Sequence, residues 1–351
     1  MSLRGEKKTV NKLLKIEIAV LLVLVVVAVF VRIGTGGNDA PQTEPSGSIT
    51  LSEPTGSTQS TPPTQASTLP SQTEPELELT FGPDFKLEST RDYFVYHCGL
   101  DKMLANSANL DKKIYPASIT KLFSAYVALQ YLDPETVVTV GSEVNLVASD
   151  SSLAHVKKGQ TIRVAELVEG MLLPSGNDAA YALAGAAARA ESGDPDMPGS
   201  KALSRFVELM NLKAQELGLT GSHFSNPDGY HEADHYLSVT DLITVARLAL
   251  ETEVIRTYAK VFEDRVNFST GEVAHWHNTN ALVNPQSPYY CEDALGLKTG
   301  HTSQAGFCLL SAFEVEGEYI IIGAFGCQRP EDRFIDTLRL YDLVVDAMAR
   351  T

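Results

Sequence analysis

Apolar residues are spread along this chain in two different ways. From Ile18 to Val31 every residue is apolar (IAVLLVLVVVAVFV). Taken from Leu13 to Ile33, the segment is long enough, at about 1.5 Å per residue, to cross a hydrocarbon core of roughly 30 Å. It has no polar face, which predicts a membrane span rather than an amphipathic helix, within a first segment at 1–33. From residue 34 to residue 80 the pattern vanishes. That stretch holds 17 Ser and Thr and 7 Pro, no Lys or Arg, and almost no bulky apolar residue before Leu77. Such a composition predicts a solvated linker, spanning about 40 Å as a flexible coil. A single folded domain is expected over 81–351.

Within that domain the period changes in a definite order. The runs 93–97 (YFVYH) and 103–105 predict a short antiparallel pair. After Pro116, the residues Ile119, Leu122, Phe123, Tyr126 and Val127 recur at three- and four-residue steps, predicting an amphipathic helix that runs to about Leu132. Helical spacing then dominates over 165–173, 179–190, 201–217 and 240–252, the last opening on Thr240 as its cap. The runs 305–312 (AGFCLLSA) and 319–326 (YIIIGAFG) predict a hairpin around Glu316 and Gly317, and 333–349 predicts a closing helix. Strands at both ends with helices between them predict an α+β fold: a mainly antiparallel sheet built from both ends of the domain, with an inserted helical subdomain.

Charge adds an orientation to this plan. Arg4, Lys7, Lys8, Lys12 and Lys15 precede the apolar span, against the single acid Glu6. The positive-inside bias therefore puts the tail in the cytoplasm and the domain outside it. Arg32 and Ile33 follow the span where a cleaved signal peptide would carry a small-x-small site, which favours an uncleaved anchor. Over all 351 residues, 28 Lys and Arg stand against 44 Asp and Glu, a formal net charge of -16. A surface of that sign repels phosphate backbones, so no nucleic-acid partner is expected. With 44% hydrophobic and 21% charged residues, wholesale disorder and collagen-like or coiled-coil architectures are excluded. Cys98, Cys291, Cys308 and Cys327 form no CxxC pair and are too scattered for a disulfide scaffold. Cys308 and Cys327 fall on the two predicted hairpin strands, where bonding depends on register and buried free thiols are an equal alternative.

Three short motifs fall at the joints between predicted elements. Ser118-Ile119-Thr120-Lys121 opens the first long helix. A three-residue separation there puts a hydroxyl and an amine on one helical face, and the helix start favours an anionic oxygen near the Ser118 backbone. Ser175-Gly176-Asn177 lies where one helix breaks and another begins, presenting a hydroxyl and an amide on a tight loop. Lys298-Thr299-Gly300 opens the late strands, with a cation, a hydroxyl and a glycine that permits close backbone approach. Each motif alone is commonplace: a capping serine, a turn, an exposed strand. All three in this order, 57 and 123 residues apart, is much more specific.

On those motifs the chain resembles the serine D-alanyl-D-alanine carboxypeptidases among the penicillin-binding proteins, relatives of the serine β-lactamases. The resemblance runs from about Tyr93 to Leu343 and includes PASITK, LLPSGNDAA, FSNPDGY at 224–230, HYLSVTDL at 235–242, NTN at 278–280 and GLKTGHTSQAGF at 296–307. It implies removal of the terminal D-alanine from peptidoglycan stem peptides ending in D-Ala-D-Ala, through an acyl-enzyme. It also implies β-lactams as covalent inhibitors, and neither cofactor nor metal. Ser118 corresponds to the nucleophile, Lys121 to its general base and Ser175 to a proton relay. Asn177 corresponds to a partner of the substrate amide, and the backbone N–H groups of Ser118 and His301 to the oxyanion hole. Lys298 and Thr299 would face the substrate carboxylate, with Gly300 as a further substrate-binding residue, joined by Arg333, which fits the family position better than Arg329. Burial and the second cation Lys298 are both expected to lower the pKa of Lys121. Many relatives carry other residues where this chain has Asp228 and Tyr230, so this loop is expected to have its own specificity.

Three other readings compete. A serine β-lactamase would share Ser118, Lys121 and Lys298-Thr299-Gly300, but the common class adds an E-x-x-L-N glutamate, and no such string occurs here. His231-Glu232-Ala233-Asp234-His235 matches the H-E-x-x-H pattern of a zinc metalloprotease using His231 and His235, which requires a helix; Pro227 and Gly229 just before it predict a loop. An inactive wall-binding module would not need the full set of reactive residues. His275 and His277, flanking Trp276, are expected to be structural rather than metal ligands.

Overall fold

The structure, a computed structural model, describes residues 77–107 and 109–350. The predicted membrane span and residues 34–76 of the predicted linker lie outside the described residues. Among the described residues no helix is long and apolar enough to cross a membrane. The packed chain starts slightly before the expected boundary, since Leu79 joins Phe85 and Leu87 against one of the two hydrophobic clusters.

Strands β1 (Asp92–His97) and β2 (Lys102–Asn106) pair antiparallel, as expected. The short β3 (Lys113–Ile114) leads through Pro116 into a single 3-10 turn, Ala117–Ile119, and then helix α1 (Thr120–Ala128). Next come β4 (Val137–Thr139), β5 (Thr161–Arg163), and helices α2 (Val164–Leu172), α3 (Asn177–Ser192) and α4 (Gly199–Glu216). After them lie β6 (Leu237–Ser238), α5 (Val239–Glu251) and α6 (Glu253–Ala259). The hairpin β7 (Glu263–Asn267) and β8 (Val273–His277) precedes β9 (Ala294–Thr302), β10 (Gly306–Val315), β11 (Glu318–Cys327) and the closing α7 (Asp332–Met348).

The main sheet has the order β2-β1-β11-β10-β9, antiparallel throughout, so the two ends of the domain do build one sheet. Both of its faces are covered, which is why β10 and β11 read as unbroken apolar runs. Alternate residues divide between two cores, as the two-residue period of a strand requires. Leu309, Phe313, Ile320 and Ile322 meet Phe334, Leu340 and Val344 of α7. Cys308, Leu310, Ala312, Ile321 and Phe325 face the helical side, whose central element is α1. That helix is buried almost all round, with Phe123 stacked on Phe224 at 4.6 Å.

Two local expectations are corrected. The helix α1 stops at Ala128 rather than Leu132; Leu129–Tyr131 close as turns ahead of Pro134. The cap of α5 is Ser238, whose hydroxyl accepts from the Asp241 N–H at 3.1 Å, while Thr240 lies inside the first turn. Cys308 and Cys327 are free thiols. The strand register sets Cys327 opposite Phe307, and burial raises the two thiols to about 12 and about 11.

Candidate active site

Each of the three motifs contains or directly follows a non-glycine residue held at positive φ: Ala117 at 49° before the first, Ser175 at 59° in the second and Leu297 at 91° before the third. Such conformations cost of the order of 1–3 kcal/mol each and persist only where the surroundings over-determine them. At Ala117 the reason is visible. A Cβ on Gly300 of β9 would stand 2.7 Å from the Pro116 carbonyl oxygen and 3.3 Å from the Ser118 nitrogen. On another side, a Cβ on Gly229 would stand 1.8 Å from the Ala117 carbonyl oxygen. Two glycines thus let the sheet edge and the 226–230 loop clasp the turn that presents Ser118. The glycine of the third motif does admit the close backbone approach expected of it.

Ser118 and Lys121 lie one turn apart, and the amine sits 2.8 Å from the Ser118 hydroxyl oxygen. Lys121 is completely buried on the first turn of α1. Its other two contacts are both carbonyl oxygens, Asn177 Oδ1 at 2.7 Å and the Asp228 backbone oxygen at 2.9 Å. A neutral amine has two N–H bonds and one lone pair. Once the Lys121 amine is neutral and its hydrogens go to the two carbonyls, the lone pair is left for the Ser118 hydroxyl, the arrangement a base needs. Burial lowers the Lys121 pKa to about 8, against the opposing pull of Asp228 and Asp178.

Asn177 opens α3 and is held from both ends, its amide nitrogen donating to Ser151 Oγ at 2.9 Å. The neighbouring Asp178 accepts the Ala154 and Val156 N–H groups at 2.7 and 2.8 Å, tying the 150–156 loop to the start of α3. Ser175 lines the cleft in the break between α2 and α3. A substrate amide approaching Asn177 would share Oδ1 with Lys121.

The opposite wall is β9. Lys298 is buried, and its amine has only looser partners: the Thr299 carbonyl oxygen at 3.2 Å, and the Thr299 and Thr279 hydroxyls at 3.5 Å. Burial drives its pKa well below the lysine range, and Lys121 and Arg333 push in the same direction. The repulsion between the two amines is mutual, but Lys298 also feels Arg333, while Lys121 has the carboxylates Asp228 and Asp178 as a counterweight. Thr299 and Thr279 exchange a hydroxyl contact at 2.6 Å. His301 stacks on Phe307, and burial with Arg333 lowers its pKa. Arg333 in the first turn of α7 lines the cleft and donates to the Gly300 carbonyl oxygen at 3.4 Å, with its Nε buried and unpartnered. Arg329, itself exposed, instead pairs with the buried Asp332 at 2.6 Å and does not line the cleft.

The cleft between these walls has a volume of about 610 Å³. Ser118, Ser175, Asn177, Thr299, His301 and Arg333 all line it, and the two lysines lie just beneath. The sequence did not single out Ser151, Thr279 or the Asp228 carbonyl. Ser151 stands in an ordinary polar turn with no distinguishing pattern, whereas Asp228 lies in the FSNPDGY segment and Thr279 in the NTN segment, which were the signals available. The Tyr230 hydroxyl donates to Asp150 at 3.2 Å; both residues line the cleft. The zinc reading fails on geometry. Residues 231–235 form no helix, and His235 is buried with Nε2 on the Thr120 hydroxyl at 2.8 Å and Nδ1 accepting from the Ser225 N–H at 3.1 Å.

Known proteins are similar to this chain in sequence and fold. The family model for D-alanyl-D-alanine carboxypeptidase, peptidase S11, matches residues 100–327. D-alanyl-D-alanine carboxypeptidase DacF of Bacillus subtilis is 29% identical over 244 residues, 69% of this chain and 58% of that protein. The D-alanyl-D-alanine carboxypeptidase of Streptomyces sp. strain K15 is 32% identical over 223 residues, 60% of this chain and 72% of that protein. The crystal structure of the Streptomyces K15 DD-transpeptidase superposes with a TM-score of 0.66 at 27% identity, covering 74% of this chain and 97% of that one. The chain spans little more than half the length of DacF. With the family match running through all three motifs and the same fold around them, the chain belongs to the D-alanyl-D-alanine carboxypeptidase family.

Proposed function

We propose that this protein is a membrane-tethered serine peptidase that removes the C-terminal D-alanine from peptidoglycan stem peptides. The observation that carries the reading is the fully buried amine of Lys121, 2.8 Å from Ser118 and otherwise bonded only to carbonyl oxygens. Ser118 Oγ attacks the carbonyl carbon of the penultimate residue as its proton passes to Lys121 Nζ. The oxyanion is met by the N–H groups of Ser118 and His301. The C–N bond then breaks, and Ser175 relays a proton to the departing amine, leaving an ester on Ser118 that water hydrolyses. Lys298, Thr299 and Arg333 receive the substrate carboxylate, while Gly300 keeps β9 close to the nucleophile.

A β-lactam offers the same pairing of an amide carbonyl and a carboxylate, and ring opening leaves it esterified to Ser118. The DD-transpeptidase named among the similar structures supports an amine as a second acyl acceptor alongside water. The apolar segment at 13–33 would anchor the chain, and residues 34–80 would hold the catalytic domain off the outer face of the membrane.

The test is intact-mass spectrometry of the purified protein with benzylpenicillin, followed over hours, beside Ser118→Ala. A slowly lost adduct on Ser118, with D-alanine released from a peptide ending in D-Ala-D-Ala, is the expected result. Rapid drug hydrolysis without a lasting adduct would instead make the protein a β-lactamase.

A further inference from the structure

The β7–β8 hairpin presents a cluster of side chains that peptide cleavage does not use. His275 and His277 were expected to be structural, yet the fold turns them outward. On β8 it is Ala274 and Trp276 that enter the core, the indole N–H donating to the Ala154 carbonyl oxygen at 2.9 Å. By the two-residue period of a strand, His275 and His277 then share the solvent face, with ring centroids 4.4 Å apart. Register places Glu263 of β7 directly opposite His277. One carboxylate oxygen of Glu263 lies 3.2 Å from His277 Nδ1 and 3.6 Å from His275 Nε2. One ligand atom from each of the three residues falls within 4.8 Å of the others.

These distances have a specific meaning. Ligands about 2.0–2.1 Å from a tetrahedral ion stand roughly 3.4 Å from each other. The two separations from Glu263 bracket that value, and the two imidazole ligand atoms, within 4.8 Å of each other, would close in on binding. Two imidazoles and one carboxylate form a donor set suited to borderline divalent ions and poorly suited to calcium or magnesium. The geometry points to a surface site for a divalent transition-metal ion on Glu263, His275 and His277, bridging the two strands of the hairpin. Arg265, opposite His275, is the cation on that face, and Phe262 lies against the His277 ring at 6.0 Å. None of the three ligands lines the cleft, so the ion takes no part in peptide cleavage. Its effect is a clamp on β8, which runs directly into Asn278 and Thr279.

The test is calorimetric titration of the metal-stripped full chain with Zn²⁺, alongside visible absorption with Co²⁺. One equivalent of Zn²⁺ is expected, undisturbed by excess Ca²⁺, with a rise in Tm that EDTA reverses. His275→Ala and His277→Ala should each weaken binding at least about tenfold, since even outer partners of a metal ligand are worth about 10–100-fold. Glu263→Gln should weaken it less. His275, His277 and Glu263 are 44%, 53% and 45% exposed, so the variants are expected to keep the parent Tm in EDTA. Zn²⁺ binding that survives both histidine substitutions, or no saturable binding at all, overturns the site and leaves only a surface ion pair.

Discussion

The two walls of the cleft each contribute one buried lysine, and the pair shows how identical side chains acquire different tasks. Lys121, on the helical wall, is gripped at 2.7–2.9 Å by two carbonyl oxygens and the Ser118 hydroxyl, with Asp228 and Asp178 partly offsetting its burial. Lys298, on the sheet wall, has partners only at 3.2–3.5 Å and lies in the field of Lys121 and Arg333. The first amine is aimed and poised to take a proton. The second is stripped of compensation and gains most from an arriving anion. Burial alone therefore does not distinguish the two amines; the closeness and number of their partners do.

Substitution of the two lysines is the most direct way to break this contrast. Lys121→Ala should lower the rate of Ser118 acylation by about 10³-fold, the range for a lost general base, with the protein still folded. Lys298→Ala should lower kcat/KM by about 10- to 100-fold, the worth of a charge-assisted hydrogen bond, and mainly toward substrates that keep their terminal carboxylate. Equal losses on a carboxylate-free ester would show that Lys298 also serves the chemistry.

The pH profile sharpens the comparison. Acylation needs neutral Lys121, so kcat/KM should climb about tenfold per pH unit from below and level off near the Lys121 value of about 8. Asp228→Asn removes a charge that holds the proton on Lys121 and should move the midpoint to lower pH. Lys298→Ala removes a neighbouring cation and should move it to higher pH, since each amine disfavours the other's proton. An unchanged midpoint would mean that the two lysines titrate independently.

The smallest effect concerns the same physics in a carboxyl group. Glu169 of α2 is buried beside Asp264, with one oxygen unpartnered, and burial raises it to about 8. Between the usual glutamate range and pH 8 the unfolded chain loses a proton that the folded chain keeps, so stability falls as pH rises through that window. Glu169→Gln should flatten this slope and gain about 1–2 kcal/mol at pH 8 in denaturant unfolding.

Much of this organisation was legible one residue at a time. The strands at both ends, the helical middle and the hairpin around Gly317 follow from periods of two and 3.6, because burial of one face or both imposes those spacings locally. The errors were at element ends. Ser238 and Thr240 are both capping residues by type, and only the path of the chain selected Ser238. Likewise Ser118, Lys121, Ser175 and Lys298 were marked by motif, but the partners that orient them come from loops with unremarkable sequences.

By itself, the sequence determined which groups this protein has for chemistry and in which elements they stand, since reactive side chains and hydrophobic periods are properties of short segments. Only the tertiary structure decided what each group faces. The 2.7 Å contact of Lys121 with Asn177 joins residues 56 apart, and the close approach of Gly300 to Pro116 and Ser118 joins the two ends of the domain. The placement of Glu263 against His275 and His277 required a hairpin register. A pKa, a lone-pair direction or a ligand separation depends on atoms a few ångströms away, and in a folded chain those atoms are seldom neighbours in sequence.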